Sequence, residues 1–256
     1  MKRLSWTIGD NSMRTSIRQG RVALLTAVAL SAIVTAPQSR AAGEIPLSKA
    51  RMIIEYNATA GDVGVQVLLD GEPWKTMKIF SPAGRRLLNI TATGSLNTQG
   101  LTELFFESSE PSLAEVPLEE FLERFPEGVY ELEGKTTEGE DIEGEATFTH
   151  VIPAAPVVVA PQDGAVVDPN NCVIDWDPVS QTIGGSGAIT IIGYQVIVEQ
   201  VDPLRVLLID LPASVTSLKV PPEFFLQANT VHKFEVLAIE VGRNQTITES
   251  SFATAP

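Results

Sequence analysis

Apolar and polar residues alternate along much of the chain with the two-residue period of strands that are buried on one face. The stretch from Met52 to Tyr56 alternates toward a large aromatic residue. The stretch from Cys172 to Trp176 does the same and places Cys172, Ile174 and Trp176 on one face. Short segments of this kind, separated by turn residues, predict an all-β fold.

The alternating segments recur as an internal repeat. Three segments match in the same order: 52–57 with 172–177, 64–70 with 193–199, and 116–150 with 220–254. The last pair aligns without a gap and shares eight identities over 35 positions. The identities are Val116/Val220, Pro117/Pro221, Glu119/Glu223, Phe121/Phe225, Leu122/Leu226, Glu131/Glu235, Glu145/Glu249 and Phe148/Phe252. The repeat predicts two copies of one unit.

Each copy is predicted to end in a hairpin of two strands. The turn lies near Glu138-Gly139 in the first copy and near residues 242–244 in the second. Ahead of the first hairpin, Leu118, Phe121, Leu122 and Phe125 have helical spacing, which predicts a short helix that closes one end of the unit. Pro126 should end that helix.

The boundary between the copies is placed at a proline-bearing segment, residues 152–156, which reads as a semi-rigid linker into an edge strand. We therefore expect two tandem antiparallel β-sandwiches, residues 42–151 and 152–256. Each should have its own core, fold separately and share no sheet with the other.

The second copy, over about 100 residues from Pro153, resembles a fibronectin type III domain. The resemblance rests on a proline-bearing first strand, alternating Cys172, Ile174 and Trp176 followed by Pro178, residues 193–196 for the third strand, and residues 234–238 for the sixth. The first copy is immunoglobulin-like by resemblance to its neighbour. The family implies an interaction or spacing role and brings no catalytic residues with it.

The N-terminus has the organisation of a secretory signal peptide, residues 1–41. Arg14, Arg18 and Arg21 precede an apolar run from Val22 to Ala36, and Ser39 and Ala41 then supply small residues at the −3 and −1 positions of a cleavage site. We expect cleavage after Ala41 and an extracellular or periplasmic mature chain. A start at Met13 would give the basic region an ordinary length, so Met13 is an alternative first residue.

The expected mature chain is strongly acidic, with 12 basic against 31 acidic residues, a net charge of −19. Such a charge opposes binding to nucleic acid and to anionic membranes, and no later stretch is apolar for long enough to insert into a membrane. Fifteen acids lie between Glu103 and Glu145. Glu119, Glu120 and Glu123 are the predicted partner-binding residues, for a cationic protein or surface polymer.

The sequence offers little catalytic chemistry. His150 and His232, the two histidines, are expected to be exposed and belong to no recognised motif. Cys172 cannot form a disulfide within the chain and should be a buried, inert thiol. We therefore expect neither an enzyme nor a cofactor.

Two further kinds of site remain open at this stage. Asn57, Asp62 and Asp70 flank one loop of the first copy and are weak calcium candidates, since hard oxygen ligands suit that ion. Three Asn-x-Thr sequons, at Asn57, Asn89 and Asn244, would accept glycans in a eukaryotic secretory pathway.

The sequence thus favours an exported, non-catalytic binding or spacer protein. A carbohydrate-binding accessory module is the alternative, and it would place Trp74, Phe80 or Tyr194 on an exposed face as sugar-stacking platforms. An enzyme of unrecognised type would need a concave pocket that contains a titratable pair.

Overall fold

The computed structural model describes residues 44–185 and 187–256, and most of them are in β-strands. The predicted signal peptide and its cleavage site lie outside the described residues. The strands are β1 (Ile45–Pro46), β2 (Lys49–Asn57), β3 (Asp62–Phe80), β4 (Arg86–Thr91), β5 (Leu101–Glu107), β6 (Gly128–Thr136), β7 (Asp141–Phe148), β8 (Val158–Ala160), β9 (Ala165–Val167), β10 (Val173–Trp176), β11 (Ile191–Gln200), β12 (Arg205–Pro212), β13 (Ser217–Lys219), β14 (Val231–Glu240) and β15 (Gln245–Thr254). The predicted all-β fold class is confirmed.

Two α-helices are both in the first half of the described chain. The second, α2 (Leu118–Arg124), is the predicted one; it buries Phe121 against the core and ends before Pro126. The first, α1 (Gly94–Gln99), buries no side chain, and the sequence did not predict it. No helix in the described ranges is long and apolar enough to cross a membrane.

The second half is a sandwich of two antiparallel sheets. One layer has the order β15, β14, β11, β12, and the other has the order β13, β10, β8. Trp176, Tyr194 and Phe234 fill the space between them and are almost completely buried, with the Trp176 and Tyr194 rings in edge contact at 5.4 Å. The inward face predicted from Cys172, Ile174 and Trp176 is confirmed.

The first half is organised around the long strand β3. The N-terminal part of β3 pairs with β2 and β5, and its C-terminal part pairs with β4 and β6. Register irregularities between Asp70 and Thr76 separate the two parts. Trp74, which lies at the change of partner, is completely buried. The two parts of β3 therefore pair with different strands but contribute to the same hydrophobic core.

The repeat holds for its last segment. The Tyr130–Ala146 pair in the β6–β7 hairpin and the Phe234–Ser250 pair in the β14–β15 hairpin occupy equivalent positions of the alignment. Both turns are where the sequence predicted them. The helix α2 is replaced in the second half by a single 3-10 turn, Pro222–Phe224.

The first two matched segments are not structurally equivalent, which corrects the sequence alignment. β2 pairs directly with β3 as a hairpin, whereas β10 lies in a different sheet from β11. The part of β3 that pairs with β6 is Trp74 to Phe80, not the matched residues 64–70. Alternation identifies the buried face of a strand, but it does not identify the neighbouring strand.

The expectation that the halves share no sheet is wrong. β2 of the first half pairs in parallel with β15 of the second, so one sheet of 12 strands runs through both halves. Each half still has its own hydrophobic cluster. The described residues belong to one compact unit. The domain boundary at residue 152 stays a prediction.

Candidate functional site

The junction between the halves is built on the outer edge of β15. β9 covers only the last three residues of that strand, Phe252 to Thr254. The first three, Gln245 to Ile247, pair in parallel with the end of β2, Glu55 to Asn57. The Ala58 N–H extends the ladder to the Ile247 carbonyl at 2.9 Å. Backbone groups that would be an exposed sheet edge are therefore used to join the two halves.

Asn244, in the turn before β15, bonds to the first half through every polar position of its side chain. Its Oδ1 accepts a hydrogen bond from the Ile54 N–H at 2.8 Å. Its Nδ2 donates to the Thr149 and Val151 carbonyls, each at 2.9 Å. Asn244 is 1% exposed and Ile54 is 0% exposed, so the hydrogen bond between them is shielded from water and is costly to lose.

The linker is held along both sides. Thr246 Oγ1 donates to the Pro153 carbonyl at 2.6 Å, and Thr248 Oγ1 donates to the Pro156 carbonyl at 2.7 Å. The Ile183 N–H donates to the Ile152 carbonyl at 2.9 Å, and Ile183 packs against the first core. A segment tied by side chains at both ends has lost the conformational freedom of an ordinary linker.

A buried polar cluster lies beside the shared ladder. Glu55 is 2% exposed, and its carboxylate accepts hydrogen bonds from the amides of Gln66 and Gln245. Gln66 Nε2 also lies 3.2 Å from Glu107 Oε1. The cluster therefore joins β2, β3 and β5 of the first half to β15 of the second.

Three carboxylates of this cluster could hold a cation. One oxygen each from Glu55, Glu107 and Glu110 lies within 4.8 Å of the other two. Carboxylate oxygens at that spacing are ligands for hard divalent cations such as Ca²⁺. The sequence did not single out these residues, because their closeness depends on the pairing of β3 with both β2 and β5 and on the path of the chain after β5.

The three calcium candidates from the sequence do not come together as one group. Asn57 and Asp62 face each other across the β2–β3 turn. Asp70 lies eight residues further along β3, opposite Lys49, at a rise of about 3.3 Å per residue. Asn57 Nδ2 donates to Glu249 Oε1 at 2.7 Å, while its Oδ1 caps the turn by accepting from the Thr59 and Ala60 amides.

The predicted partner-binding residues lie on the outer surface of α2. Glu119, Glu120 and Glu123 are exposed, while Phe121 on the opposite side is buried. Glu120 forms an ion pair with Arg124 at 2.5 Å. The helix therefore presents an acidic surface to solvent that is partly neutralised at its C-terminal end.

A second acidic surface lies on the β6–β7 hairpin. Glu131 is directly opposite Glu145, and Glu133 is directly opposite Glu143. Like charges at opposed positions destabilise a sheet. The predicted turn at Glu138 fixes this register, so the opposed glutamates follow from the sequence pattern.

Both histidines differ from the expectation that they are exposed. His150 is half-buried, and its Nε2 lies 2.7 Å from the Phe125 carbonyl. His232 is completely buried and lies in β14. Its ring stacks on Phe252, which lies directly opposite it in the β14–β15 hairpin.

Cys172 is a buried free thiol, as predicted. Burial raises the pKa of the thiol to about 11. A thiol that stays protonated at neutral pH is a poor nucleophile and behaves as a small apolar group.

Two of the three aromatic residues proposed as sugar-stacking platforms are not exposed. Trp74 and Tyr194 are buried, and the Tyr194 hydroxyl accepts a hydrogen bond from the Val179 N–H at 2.8 Å. Phe80 is half-buried. Aromatic platforms need an exposed ring face, which Trp74 and Tyr194 do not have.

Only one of the three sequons has an exposed asparagine. Asn89 lies on the exposed side of β4. Asn57 and Asn244 are buried, and both use their amide nitrogen in hydrogen bonds. The folded chain therefore offers Asn89 alone among these three as an accessible acceptor.

No protein-family description matches the chain, and no curated protein matches it. The solved structures that match include the FN1-FN3 domains of chicken CNTN1, at 12% identity over 84% of this chain and 66% of that one, TM-score 0.32. A two-domain fibronectin type III segment from chicken tenascin matches at 9% identity over 81% and 99%, TM-score 0.30. A tetra-tandem repeat in the extending region of a large adhesion protein matches at 9% over 80% and 49%, TM-score 0.28. The chain spans less than two thirds of the CNTN1 and adhesion-protein chains.

Proposed function

We propose that the chain is an exported, non-catalytic protein that holds two β-sandwich surfaces in one fixed arrangement and presents them to a protein or surface polymer. The junction carries this proposal. A spacer or binding module gains from a fixed geometry, because partners then meet both surfaces without a further entropic cost.

The kind of junction supports fixed spacing over flexible tethering. Parallel ladder bonds, the buried Asn244 side chain and the tied linker all act between the two halves. Two flexibly tethered domains would be joined by the linker alone. Here the ladder bonds, the Asn244 bonds and the bonds to the linker together restrict the movement of one half relative to the other.

The acidic surfaces define the partner in this proposal. Glu119, Glu120 and Glu123 on α2 are exposed and belong to the half that carries most of the acids. A cationic protein or polymer is the complementary partner, and exposed charges make such binding sensitive to salt.

Distance measurements between spin labels test the fixed arrangement. Labels at Asn89→Cys in the first half and Val206→Cys in the second, in a Cys172→Ala background, occupy exposed positions. We expect one narrow distance distribution, which should broaden when Asn244→Ala and Gln245→Ala are added. Gln195→Ala is the matched control, since Gln195 is also a buried amide but bonds to Asp210 within the second half.

A broad distribution without the junction substitutions would contradict the proposal. So would a distribution that stays equally narrow when both junction amides are removed.

A further inference from the structure

The end of the second half that lies away from the junction contains a buried histidine in an aromatic cage. His232 is 0% exposed. Its ring stacks on Phe252 at 5.2 Å with an interplanar angle of 13°. Phe225 meets the ring edge-on at 5.1 Å, and Phe224 lies 5.9 Å away. The imidazole is therefore removed from water on the sides that these rings cover.

The hydrogen bonds of the ring define its tautomer. Nδ1 lies 3.0 Å from the Thr230 carbonyl, which can only accept, so Nδ1 carries the hydrogen. Nε2 of the neutral ring is then an acceptor. Nε2 is buried and has no hydrogen-bond partner among the described residues. Buried acceptor atoms in proteins usually have a hydrogen-bond partner, so the unpaired Nε2 requires an explanation.

A second buried acceptor lies opposite His232. Gln200 is directly across the β11–β14 ladder and is also 0% exposed. Its Nε2 donates to the Asp202 and Pro203 carbonyls at 3.1 and 3.2 Å, which fixes the orientation of the amide. Its Oε1 then faces the interior with no donor in the described part of the chain. Two acceptors thus occupy one buried end.

The segment that covers this end comprises residues 221–230 and is called the cap here. It packs on the second core through Phe224 and Phe225. At its C-terminal end the Asn229 N–H donates to the Thr254 carbonyl and the Thr230 N–H donates to Thr254 Oγ1, each at 3.0 Å, and nearer its start the Glu223 carbonyl accepts from Arg205 at 3.5 Å. Thr254 Oγ1 donates in turn to the Gln227 carbonyl at 2.9 Å. Phe224 and Phe225 of the cap form two walls of the cage.

We propose that the cap is an acid-sensitive latch, which opens when a proton from solvent binds Nε2 of His232. The proton converts the ring to an imidazolium whose new N–H and positive charge lie among phenylalanine rings. Opening of the cap returns the ring to water. The readout is exposure of Phe224, Phe225 and Phe252, an apolar surface that is closed at neutral pH.

The sign of the pH dependence follows from burial. Removal from water lowers the pKa of His232 below its usual value of 6.5, and the hydrogen bond to the Thr230 carbonyl opposes that change in part. With the cap open, the ring regains an ordinary pKa. The open state therefore binds more protons, and its population grows as pH falls below about 6.5, by up to about tenfold per pH unit.

Charged groups on the surrounding elements do not reverse this sign. They are Glu199 of β11, Asp202 in the turn after it, Arg205 of β12, Glu223 in the cap, Lys233, Glu235 and Glu240 of β14, Glu249 of β15 and Asp168 after β9. The His232 ring forms no ion pair with any of them in the described ranges. The guanidinium of Arg205 lies over the Phe224 ring at 5.4 Å, and its fixed positive charge disfavours an imidazolium behind that wall.

Hydrogen exchange and a ring titration test the latch in the full-length chain. After correction for the intrinsic rate, cap amides should exchange up to about tenfold faster for each pH unit between 6.5 and 5. An NMR titration of the His232 ring should give a pKa below 6.5. His232→Phe keeps an aromatic ring and removes the proton site, so its cap should lose this pH response. His150→Phe is the matched control and should keep it.

A measured pKa of His232 at or above 6.5 would overturn the latch, since it would mean that the closed state retains the proton, for example by donation to Gln200 Oε1. An unchanged pH response in His232→Phe would also overturn it. The titration needs no variant, so it decides the question even if His232→Phe does not fold.

Discussion

The side-chain oxygen of Asn244 accepts a hydrogen bond from the backbone N–H of Ile54, 190 residues earlier in the chain. The same side chain donates to the carbonyls of Thr149 and Val151. One amide thus satisfies backbone groups in β2 and in the segment that leaves the first half. No water can replace it without a rearrangement, because Asn244 is buried.

Asn244→Ala should therefore lower the free energy of unfolding by about 1–3 kcal/mol, since it leaves the buried Ile54 N–H without a partner and removes the hydrogen bonds to the Thr149 and Val151 carbonyls. Denaturant unfolding at neutral pH measures this change. Asn89→Ala is the control, because Asn89 is exposed, and it should change stability by less than about 0.5 kcal/mol. Equal effects of the two substitutions would show that the hydrogen bonds of Asn244 do not stabilise the chain.

Trp176→Ala should destabilise the chain by about 3–5 kcal/mol, because the ring fills the second core against Tyr194. Trp176→Phe should cost less. The indole N–H is buried without a partner in the described residues, so Phe removes that unfavourable group while it keeps most of the ring. Thermal unfolding of both variants checks the order. An equal loss from Phe and Ala would mean that packing of the full indole dominates.

The hairpins and α2 were predictable because local information specifies them. A turn at Glu138 determines which β6 and β7 residues oppose each other, and helical spacing ahead of Pro126 identifies α2. The buried face of β10 also followed from alternation. These features depend on contacts between residues that are close in sequence or on a period within one element.

The junction and the neighbours of β2 and β3 were not predictable in this way. Glu55 and Gln245 are 190 residues apart, and a lone glutamate among apolar residues reads as the solvent-facing position of a strand. Its burial depends on two amides that come from other strands. For the same reason, alternation in β3 could not show that its two parts pair with different strands.

Cys172 gives a prediction at alkaline pH. Burial raises the pKa of its thiol to about 11 from about 9, so between those values the unfolded state loses the proton first. The contribution of the thiol to stability is complete below pH 9 and is lost as pH rises toward 11. Burial also raises the pKa of Tyr130, to about 12. The pH dependence of the wild-type free energy of unfolding therefore includes contributions from both groups.

Cys172→Ala separates the thiol from the phenol. We expect the free energy of unfolding of this variant to fall less between pH 9 and 11 than that of the wild type. In parallel, maleimide should label native Cys172 slowly at pH 7 and quickly in denaturant. Rapid labelling of the native chain would contradict the burial of this thiol.

Export is tested by the N-terminus of the protein from its own compartment. The basic, apolar and small-residue segments predict cleavage after Ala41, so sequencing of the periplasmic or extracellular protein should begin at Ala42. A chain from that fraction that retains residues 22–36 would contradict the cleavage, and a chain found only in the cytoplasm would contradict export.

The acidic surface of α2 gives the functional prediction. Glu119, Glu120 and Glu123 are exposed on one short helix, and only Glu120 has an ion-pair partner on that helix, Arg124. Their replacement by glutamine removes three charges and leaves the buried contact of Phe121 in place. If this surface binds a cationic partner, binding in a pull-down should weaken in the triple variant.

The wild-type interaction should also weaken as salt rises, because exposed charges are screened within about 10 Å at 0.1 M. Asp177→Asn, Asp202→Asn and Glu223→Gln together form the control, since they remove the same charge from exposed positions of the second half. A partner that depends on net charge alone would respond equally to both triple variants. Partners that are retained by the α2 variant at low salt would show that the acidic helix serves solubility instead of binding.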